Sequence, residues 1–365
     1  MSRRHGHSLT HFRSARLNVV QLFPDISSVA CTEVTVGTSR FRDLDCARGS
    51  GMLLVVIGHM HQFAEAKSWI YLFHMPMFFI VSGILFRPRE PWAYSVDRTR
   101  SLMLPYVAFF AIVLLLDNLV SKVSGIAPSL SFSAPQQIVL RFLYGGPGLF
   151  GAYAAFWFAG CIWLALVALN FLCAFWKPIS LPVGTAVAVL ALIAMAERPN
   201  LPSPQGIAGV PIAVVFLWVG CLLAEQRERR LAMFAAGFAL SVACLPFVDG
   251  FDMKTSEFGN PANLLAAISL SACWLAANYY LDRVPYIGGT FAAIGRASIT
   301  IMFLHALILV QGKAFIENRY ALALAALLVP VGVHWLLERS FLTCKYVLGQ
   351  KAAPDRRTKS LPLRA

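Results

Sequence analysis

Long apolar runs recur along the chain, and each is close to the ~20 residues that a helix needs to cross a bilayer. Of the 365 residues, 58% are hydrophobic and only 13% are charged, whereas soluble domains carry about 25% charged residues. The apolar runs are continuous rather than alternating, which indicates helices and not transmembrane strands. A helix also satisfies its own backbone polar groups inside lipid. The sequence therefore predicts an all-α integral membrane protein.

The runs predict a polytopic bundle of about ten transmembrane helices. The predicted spans are 49–66, 69–86, 102–121, 148–170, 179–196, 206–224, 231–248, 262–281, 296–312 and 321–338. Residues 1–44 lack the continuous apolar stretch of a secretory signal and are predicted to be a cytoplasmic, partly disordered arm. Residues 45–340 form the transmembrane domain, and residues 341–365 are predicted to be a basic cytoplasmic tail.

The net charge of +13 would suggest a nucleic-acid partner in a soluble protein. In a membrane protein it has a topological meaning, because Lys and Arg gather in cytoplasmic segments. With ten spans, 24 of the 31 Lys and Arg residues lie on the side of the two termini and seven on the other. We therefore expect both termini in the cytoplasm of a multi-pass protein of the bacterial inner membrane, with the bilayer and not nucleic acid as its partner.

The first span carries ionisable residues that a lipid-facing helix would not hold. Arg48 and His59 are eleven residues apart, so on a helix they share one face, ~16 Å apart along the axis. Asp45 lies on nearly the same stripe and is predicted to pair with Arg48. A neutral imidazole at mid-membrane depth can remove a proton from a hydroxyl. The alternative is a structural histidine bonded to a neighbouring helix, but the shared stripe favours a function, since such groups usually face a cavity.

His74 lies in the FHMP segment at the start of the second span. Pro76 is predicted to be early enough in that helix to be tolerated, and His74 would then face the same cavity. An interfacial histidine near the outer surface is the alternative, and the sequence leaves it open. Ser82 and Gly83 form a small pair of the kind that allows close helix packing, and Ser82 is also retained as a candidate substrate-binding residue.

A basic loop follows the second span and contains Arg87, Arg89, Arg98 and Arg100. Such a run is usually a topology signal that anionic lipid head groups satisfy. Arginine also binds phosphate bidentately, and an acyl-CoA, which carries three phosphate groups, is found on the cytoplasmic side. Arg98 and Arg100 are therefore candidate acyl-CoA-binding residues.

The segment GRASITIMFLH is predicted to place Arg296 at a helix start and His305 nine residues later, on the opposite face. His305 either lines the cavity or bonds a neighbouring helix, and the sequence favours neither. Trp157 is interpreted as packing or as part of an interfacial belt. Glu338 is expected to pair locally with Arg339 or with a neighbouring loop. No residues have metal-ligand spacing, so no metal and no permanently bound cofactor are predicted.

These motifs together resemble the membrane-bound acyltransferase type 3 family. The family's first motif, D-x-x-R-G followed by an apolar run and G-H, is similar to Asp45, Arg48, Gly49 and Gly58–His59. Its second motif resembles the segment from Phe73 to Gly83. Weaker similarities are the basic patch with L-x-P-Y around Arg98 to Tyr106, the pair Trp157–Phe158, and the late G-x-x-S with its histidine, Gly295, Ser298 and His305. The resemblance extends from about residue 41 to residue 340.

The resemblance implies an O-acyltransferase that moves an acetyl or other short acyl group from cytoplasmic acyl-CoA to a sugar hydroxyl. The acceptor would be a surface polysaccharide such as exopolysaccharide, a glycolipid or a lipo-chitooligosaccharide, as in the fucose 4-O-acetyltransferase and nodulation branch. His59 would act as general base or relay the acyl group, and Arg48, held by Asp45, would orient the donor or stabilise developing charge. The loop arginines read R-T-R here instead of the family's frequent R-x-x-R, so the separate roles of Arg98 and Arg100 are open.

Two other functions fit a chain of this kind. A transporter or flippase of a glycan precursor would also use intramembrane His and Arg, as proton relays. Many transporters show paired halves or interrupted helices, and no such halves are visible in this sequence. A membrane sensor or scaffold would bind neither acyl-CoA nor a transported solute.

Overall fold

The computed structural model describes residues 42–60, 64–196, 202–225 and 229–350. Within these ranges the chain is helical, and the one isolated β-bridge joins Asp252 to Glu257. In chain order the α-helices are α1 (Arg42–Gly58), α2 (Ala64–Ile84), α3 (Pro91–Ser124), α4 (Pro135–Tyr144), α5 (Trp157–Leu172), α6 (Leu181–Met195), α7 (Val210–Glu225), α8 (Arg230–Cys244), α9 (Pro261–Leu281), α10 (Ile287–Arg296), α11 (Ser298–Gln311), α12 (Arg319–Glu338) and α13 (Phe341–Tyr346). Short 3-10 helices lie at Gly146–Gly148, Gly151–Tyr153, Pro204–Gly209, Leu245–Phe247 and Gly312–Ala314.

Among the described residues, five helices are long and apolar enough to cross a membrane by length and composition. They are α3, α9, α12, and α5 and α7 with the 3-10 turns that precede them. A sixth candidate is the pair α10 and α11, which is bent by 81° at its break. Every predicted span overlaps a helix, but the all-helical architecture confirms only the class of fold, and the count of ten spans stays a prediction.

The ends of the first two helices differ from those predicted. Helix α1 begins at Arg42, inside the predicted arm, and ends at Gly58, so His59 follows the helix instead of lying within it. A glycine costs about 1 kcal/mol in a helix interior, which makes Gly58 a natural end. The remainder of the predicted arm, residues 1–41, and residues 61–63 of the predicted first span lie outside the described residues. Helix α2 begins at Ala64, and its interior therefore includes Pro76.

Small residues let neighbouring helices touch through their backbones. A Cβ atom at Gly49 of α1 would overlap the carbonyl oxygen of Phe291 in α10, and one at Gly295 of α10 would overlap that of Asp45. A Cβ at Gly83 of α2 would likewise overlap the Leu217 carbonyl of α7. The packing role predicted for Gly83 is confirmed. Close glycine contacts of this kind fix the positions of helices α1 and α2.

The carboxyl ends of α3 and α11 meet through a buried polar network. The carboxylate of Asp117, which is fully buried, accepts hydrogen bonds from the Gln311 side chain (2.7 Å) and from the Ser129 backbone (2.7 Å). Ser124 at the end of α3 donates to the Gln311 side-chain oxygen at 2.6 Å. Since all of these groups are satisfied, the network holds α11 in a fixed register beside α3.

Candidate functional site

Helices α1 and α2 form an antiparallel pair that sets the geometry of the site. A Cβ atom at Gly58, the last residue of α1, would contact Tyr71, whereas one at Gly51 would contact Phe78. The carboxyl end of α1 thus lies beside the first half of α2, and the amino end of α1 lies towards the end of α2 at Ile84. At 1.5 Å per residue, α2 separates its two ends by ~31 Å.

His59 follows α1 directly and is held by it. Its backbone N–H donates to the carbonyl oxygens of Val55 (3.3 Å) and Val56 (3.2 Å), and its ring Nδ1 lies 2.8 Å from the Val55 oxygen. A carbonyl oxygen only accepts, so Nδ1 carries the hydrogen, and Nε2 of the neutral ring keeps its lone pair. The side chain is half-buried. His59 therefore presents an oriented basic nitrogen that a substrate can reach.

Three further rings surround His59, and together we call them the histidine cluster: His59, Tyr71, His74 and His305. The His59 and His305 rings meet edge to face, with centroids 5.0 Å apart. The Tyr71 ring lies 6.2 Å from that of His59 and 5.1 Å from that of His74. Helix α11 therefore brings His305 against His59, and α2 brings His74 near the same place; the cavity-lining role of His305 stays a prediction.

His74 and His305 repeat the hydrogen-bond pattern of His59. Nδ1 of His74 bonds to the Ile70 oxygen at 2.6 Å, and Nδ1 of His305 bonds to the Ile301 oxygen at 2.7 Å. Both side chains are almost fully buried, so His74 is a residue of the protein interior and not an interfacial one. Nε2 of His305 has no hydrogen-bond partner among the described residues. A buried nitrogen without a partner is costly.

The predicted ion pair between Asp45 and Arg48 is confirmed, with 3.1 Å between the Arg48 guanidinium and an Asp45 oxygen. The contact of α10 with Gly49 holds this turn of α1 in place. By helix geometry the pair lies ~16 Å from His59 along the axis of α1. Arg48 therefore lies too far along α1 to touch a group bound beside the His59 ring.

The basic cluster, defined as Arg87, Arg89, Arg98 and Arg100, lies at the far end of α2. The sequence placed Arg98 and Arg100 in a loop, which is wrong, because helix α3 already begins at Pro91. Glu90 caps that helix: its carboxylate accepts from the backbone N–H groups of Trp92 (2.9 Å) and Ala93 (2.6 Å). These two hydrogen bonds lower the pKa of Glu90, so the cap is ionised at neutral pH.

The arginines of the basic cluster differ in their surroundings. Arg89 forms an ion pair with Asp97 at 3.0 Å, and the Arg98 guanidinium lies 4.9 Å from the centre of the Tyr94 ring. Arg100 is exposed to solvent. Stacking on an aromatic ring holds a guanidinium flat and leaves its N–H groups free for a phosphate. The cluster can therefore hold an anionic group at this end of the bundle.

The other motif residues support these two clusters without joining them. The Ser82 hydroxyl donates to the Phe78 carbonyl of its own helix at 2.8 Å. The ring of Phe158 lies 5.0 Å from that of Phe79, so the Trp157–Phe158 element packs against α2. Arg296 ends α10 instead of starting a helix, and the chain turns before α11 begins at Ser298.

Glu338 contacts His334, one helical turn earlier, at 3.2 Å, and it also accepts a hydrogen bond from the Gln350 side chain in the segment after α13. Of the two predicted partners, the neighbouring loop is therefore the one observed, and the Arg339 guanidinium lies over the Trp335 ring. His334 Nδ1 in turn lies 2.8 Å from the Thr300 hydroxyl of α11. His334 therefore ties α12 to α11.

Two residues that sequence reasoning missed contribute to the site. Tyr71 is three residues before His74, a spacing that places both on one helix face, and this signal was available. Asn278 is a buried polar residue in an apolar helix: its side-chain oxygen accepts from the Ser50 hydroxyl at 2.8 Å and so joins α9 to α1. Among the described residues no group of three or more His, Cys, Asp or Glu side chains is arranged to hold a metal ion.

Comparison with known proteins identifies a family for the chain. A model of an acyltransferase domain family matches residues 41–339, a range that includes both clusters and helices α1 to α12. No curated protein and no solved structure matches the chain. With several apolar helices and a family match over most of its length, the chain belongs to the acyltransferase 3 family and is a membrane acyltransferase.

Proposed function

We propose that this enzyme transfers an acetyl or other short acyl group from acyl-CoA to a hydroxyl group of a sugar. The observation that carries the proposal is the state of His59, whose Nδ1–H is bound to Val55, whose Nε2 therefore keeps its lone pair, and whose side chain is partly accessible. The acceptor is the glycan of a surface polysaccharide, a glycolipid or a lipo-chitooligosaccharide. The fucose 4-O-acetyltransferase and nodulation branch is the narrower proposal.

The reaction needs one base near one thioester. Nε2 of His59 removes the proton from the acceptor hydroxyl as its oxygen attacks the thioester carbonyl. The new C–O bond forms, the C–S bond breaks, and the His59 imidazolium returns its proton to the departing thiolate of CoA. The second imidazole, His305, lies against His59, and its unpaired Nε2 is a hydrogen-bond acceptor for the same hydroxyl or for a neighbouring one.

The donor lies along the α1–α2 pair. Its phosphates bind to the basic cluster, chiefly Arg98 and Arg100, with Arg48 between this cluster and His59. The pantetheine arm of acyl-CoA is a long flexible chain, so the phosphates and the thioester can occupy separate parts of α2. Support comes from the positions of the two clusters, because the histidine cluster lies beside the first half of this helix and the basic cluster lies at its carboxyl end. Since acyl-CoA is cytoplasmic, the basic cluster faces the cytoplasm.

The same orientation fits the charge distribution. The protein spans the bacterial inner membrane ten times, and both of its termini lie on the cytoplasmic side. This topology places most Lys and Arg residues on the same side as the basic cluster, as the positive-inside rule requires. In this arrangement α1, α2, α6 and α8 cross the membrane together with the six candidates found by length and composition.

The test is acyl transfer by the purified protein in lipid nanodiscs. Radiolabelled acetyl-CoA is supplied with glycans extracted from a strain that lacks the gene, and label in the glycan is measured. Wild-type protein should label the glycan, and mass spectrometry of the deletion strain should show glycans that lack one acetyl group. Unlabelled glycans together with unchanged masses would refute the proposal.

A further inference from the structure

A polar cavity of about 480 Å³ opens beside the histidine cluster. Volumes of this size are typical of small-molecule sites. Six of the side chains that line it are polar: Lys67, Ser68, Tyr71, Asp249, Asp252 and Glu257. Tyr71 belongs both to this lining and to the histidine cluster, and its ring centre is 6.2 Å from that of His59. A molecule in the cavity is therefore one side chain away from the proposed catalytic base.

The segment between α8 and α9 forms one wall of the cavity, and hydrogen bonds hold its backbone in place. Asn263, which is fully buried, donates to an Asp249 carboxylate oxygen (2.7 Å) and to the carbonyls of Gly250 (2.5 Å) and Phe258 (3.0 Å). Backbone hydrogen bonds of 2.7 and 3.0 Å join Asp252 and Glu257. The carboxylates are thus presented from a fixed backbone, which reduces the entropy that a ligand must overcome on binding.

The loop is also anchored to the rest of the bundle. The Lys254 ammonium donates to the Leu149 carbonyl at 2.7 Å, and burial lowers the pKa of this lysine. The hydrogen bond from Asn263 lowers the pKa of Asp249, so this residue is a carboxylate at neutral pH. The cavity therefore contains an ionised acceptor, Asp249, on a wall that hydrogen bonds within the protein hold in shape.

The cavity lies at the opposite end of α2 from the basic cluster. Lys67 and Tyr71 are in the first half of this helix, whereas Arg87 follows its end. The basic cluster and the mainly acidic cavity therefore lie at the two ends of α2, ~31 Å apart. The phosphates of acyl-CoA are attracted by the basic cluster and repelled by the carboxylates of the cavity.

The lining also limits the chemistry of the ligand. Three carboxylates face one ammonium, Lys67, which lies 5.0 Å from the Tyr71 ring centre. Carboxylates accept strong hydrogen bonds from hydroxyl groups, and they disfavour a second anion. An aliphatic chain would leave these polar groups unpaired. The chemistry that fits is an uncharged molecule with several hydroxyl groups.

From these observations we infer that this cavity binds the acceptor as an uncharged sugar ring, with Asp252 and Glu257 accepting hydrogen bonds from its hydroxyls and Tyr71 guiding one hydroxyl to His59. The inference rests on the proposed function for its direction, but binding at the cavity is independent of the transfer step. An anionic sugar of the same shape is excluded by the same carboxylates.

The test measures binding without acyl-CoA, by saturation-transfer NMR on the protein in nanodiscs. The probes are methyl α-L-fucopyranoside, methyl β-D-glucopyranoside and methyl β-D-glucuronide, of which the last two differ by one carboxylate. The wild type should bind at least one neutral glycoside and reject the glucuronide. The double variant Asp252→Asn, Glu257→Gln should bind the neutral glycoside roughly ten-fold more weakly and reject the glucuronide less strongly.

The matched control is Glu317→Gln, which removes one exposed carboxylate beyond the end of α11, on the same side of the bundle as the cavity but outside its lining. It should bind like the wild type. Equal affinities of the wild type and the double variant for every neutral probe, or binding of no neutral probe, would overturn the inference. Neutral-probe binding that depends on Asp252 and Glu257 in a protein without acyl transfer would instead keep the site and refute the proposed function.

Discussion

The two ends of the α1–α2 pair hold opposite kinds of polar chemistry. At the basic end the charges are paired or stacked: Arg48 with Asp45, Arg89 with Asp97, and Arg98 over Tyr94. At the other end, in the histidine cluster, each imidazole donates from Nδ1 to a carbonyl of its own turn. A guanidinium binds anions but keeps its charge and does not act as an acid or a base at neutral pH. An imidazole, in contrast, can take up and release a proton near neutral pH.

Under the proposed function, this difference separates donor binding from acyl transfer along one helix pair. The distance of ~16 Å between Arg48 and His59 means that a substitution at one end need not disturb the other. Substitutions in the histidine cluster should lower kcat, and substitutions in the basic cluster should raise the KM for acyl-CoA. If the two ends are independent, a substitution at one end changes only one of these two kinetic constants.

The largest effect is expected for His59→Ala. Loss of a general base costs about 10² to 10⁴ in rate, so kcat should fall by at least roughly 100-fold while acetyl-CoA still binds. The measurements are radiolabel transfer to glycan and protection of the protein against heat by acetyl-CoA. Transfer within three-fold of the wild-type rate would show that the base lies elsewhere, and loss of acetyl-CoA protection would show that the two ends are not separable.

A substitution that moves α1 as a whole should affect both ends of the helix pair together. In Gly49→Ala the new methyl group meets the Phe291 carbonyl of α10, so α1 must shift and carry both Arg48 and His59 with it. Overpacking of this kind costs about 1–3 kcal/mol, and we expect a lower melting temperature with changes in both kcat and KM. Gly332→Ala in α12 is the control, because nothing lies within 4 Å of the added methyl group, and its melting temperature should not fall. A melting temperature of Gly49→Ala equal to that of the wild type would contradict the close approach.

Within the histidine cluster, His305→Gln should lower kcat by roughly ten-fold, since about one hydrogen bond is lost, and should leave the KM for acyl-CoA unchanged. His334→Gln is the matched control on the neighbouring helix, because this buried histidine contacts Thr300 and Glu338 instead of His59. Steady-state kinetics of both variants distinguishes the two. An equal fall in kcat for His334→Gln would mean that His305 acts only through the packing of α11.

The sequence predicted the helical class and the Asp45–Arg48 pair because both depend on local spacing. It did not predict that His59 and His305 meet, since no local pattern relates residues so far apart in the chain. Helix α10 was missed for a related reason: its ten residues are too short for a span, and the glycine contact that makes it important involves another helix.

The start of α3 at Pro91 was also not predicted, although the sequence contains a signal for it. Glu90 followed by Pro91 is a capping residue followed by a proline at the first helical position, and the structure shows that cap. The four arginines between Arg87 and Arg100 suggested a loop instead. The correct helix changes the interpretation of Arg98 and Arg100, which the last prediction uses.

The smallest effect should separate these two arginines. Two residues apart on a helix, they are rotated by ~200° and point in nearly opposite directions, whereas an R-x-x-R spacing would have placed them close to one face. Arg98 is partly buried and stacked on Tyr94, and Arg100 is exposed. A guanidinium already held in place loses less entropy when it binds a phosphate, so Arg98 should contribute more than Arg100.

We therefore expect Arg98→Lys to raise the KM for acetyl-CoA by roughly three- to ten-fold, because lysine keeps the charge but neither stacks nor binds bidentately. Arg100→Lys should change the same KM by less than about two-fold, since an exposed charge contributes little. The kcat of both variants should equal that of the wild type. Adding salt should raise the KM of the wild type and narrow its difference from Arg98→Lys, because exposed charges are screened. Equal effects at the two positions would mean that the basic cluster attracts acyl-CoA only by its total charge, and the ordered arrangement around Tyr94 would then have no part in binding the donor.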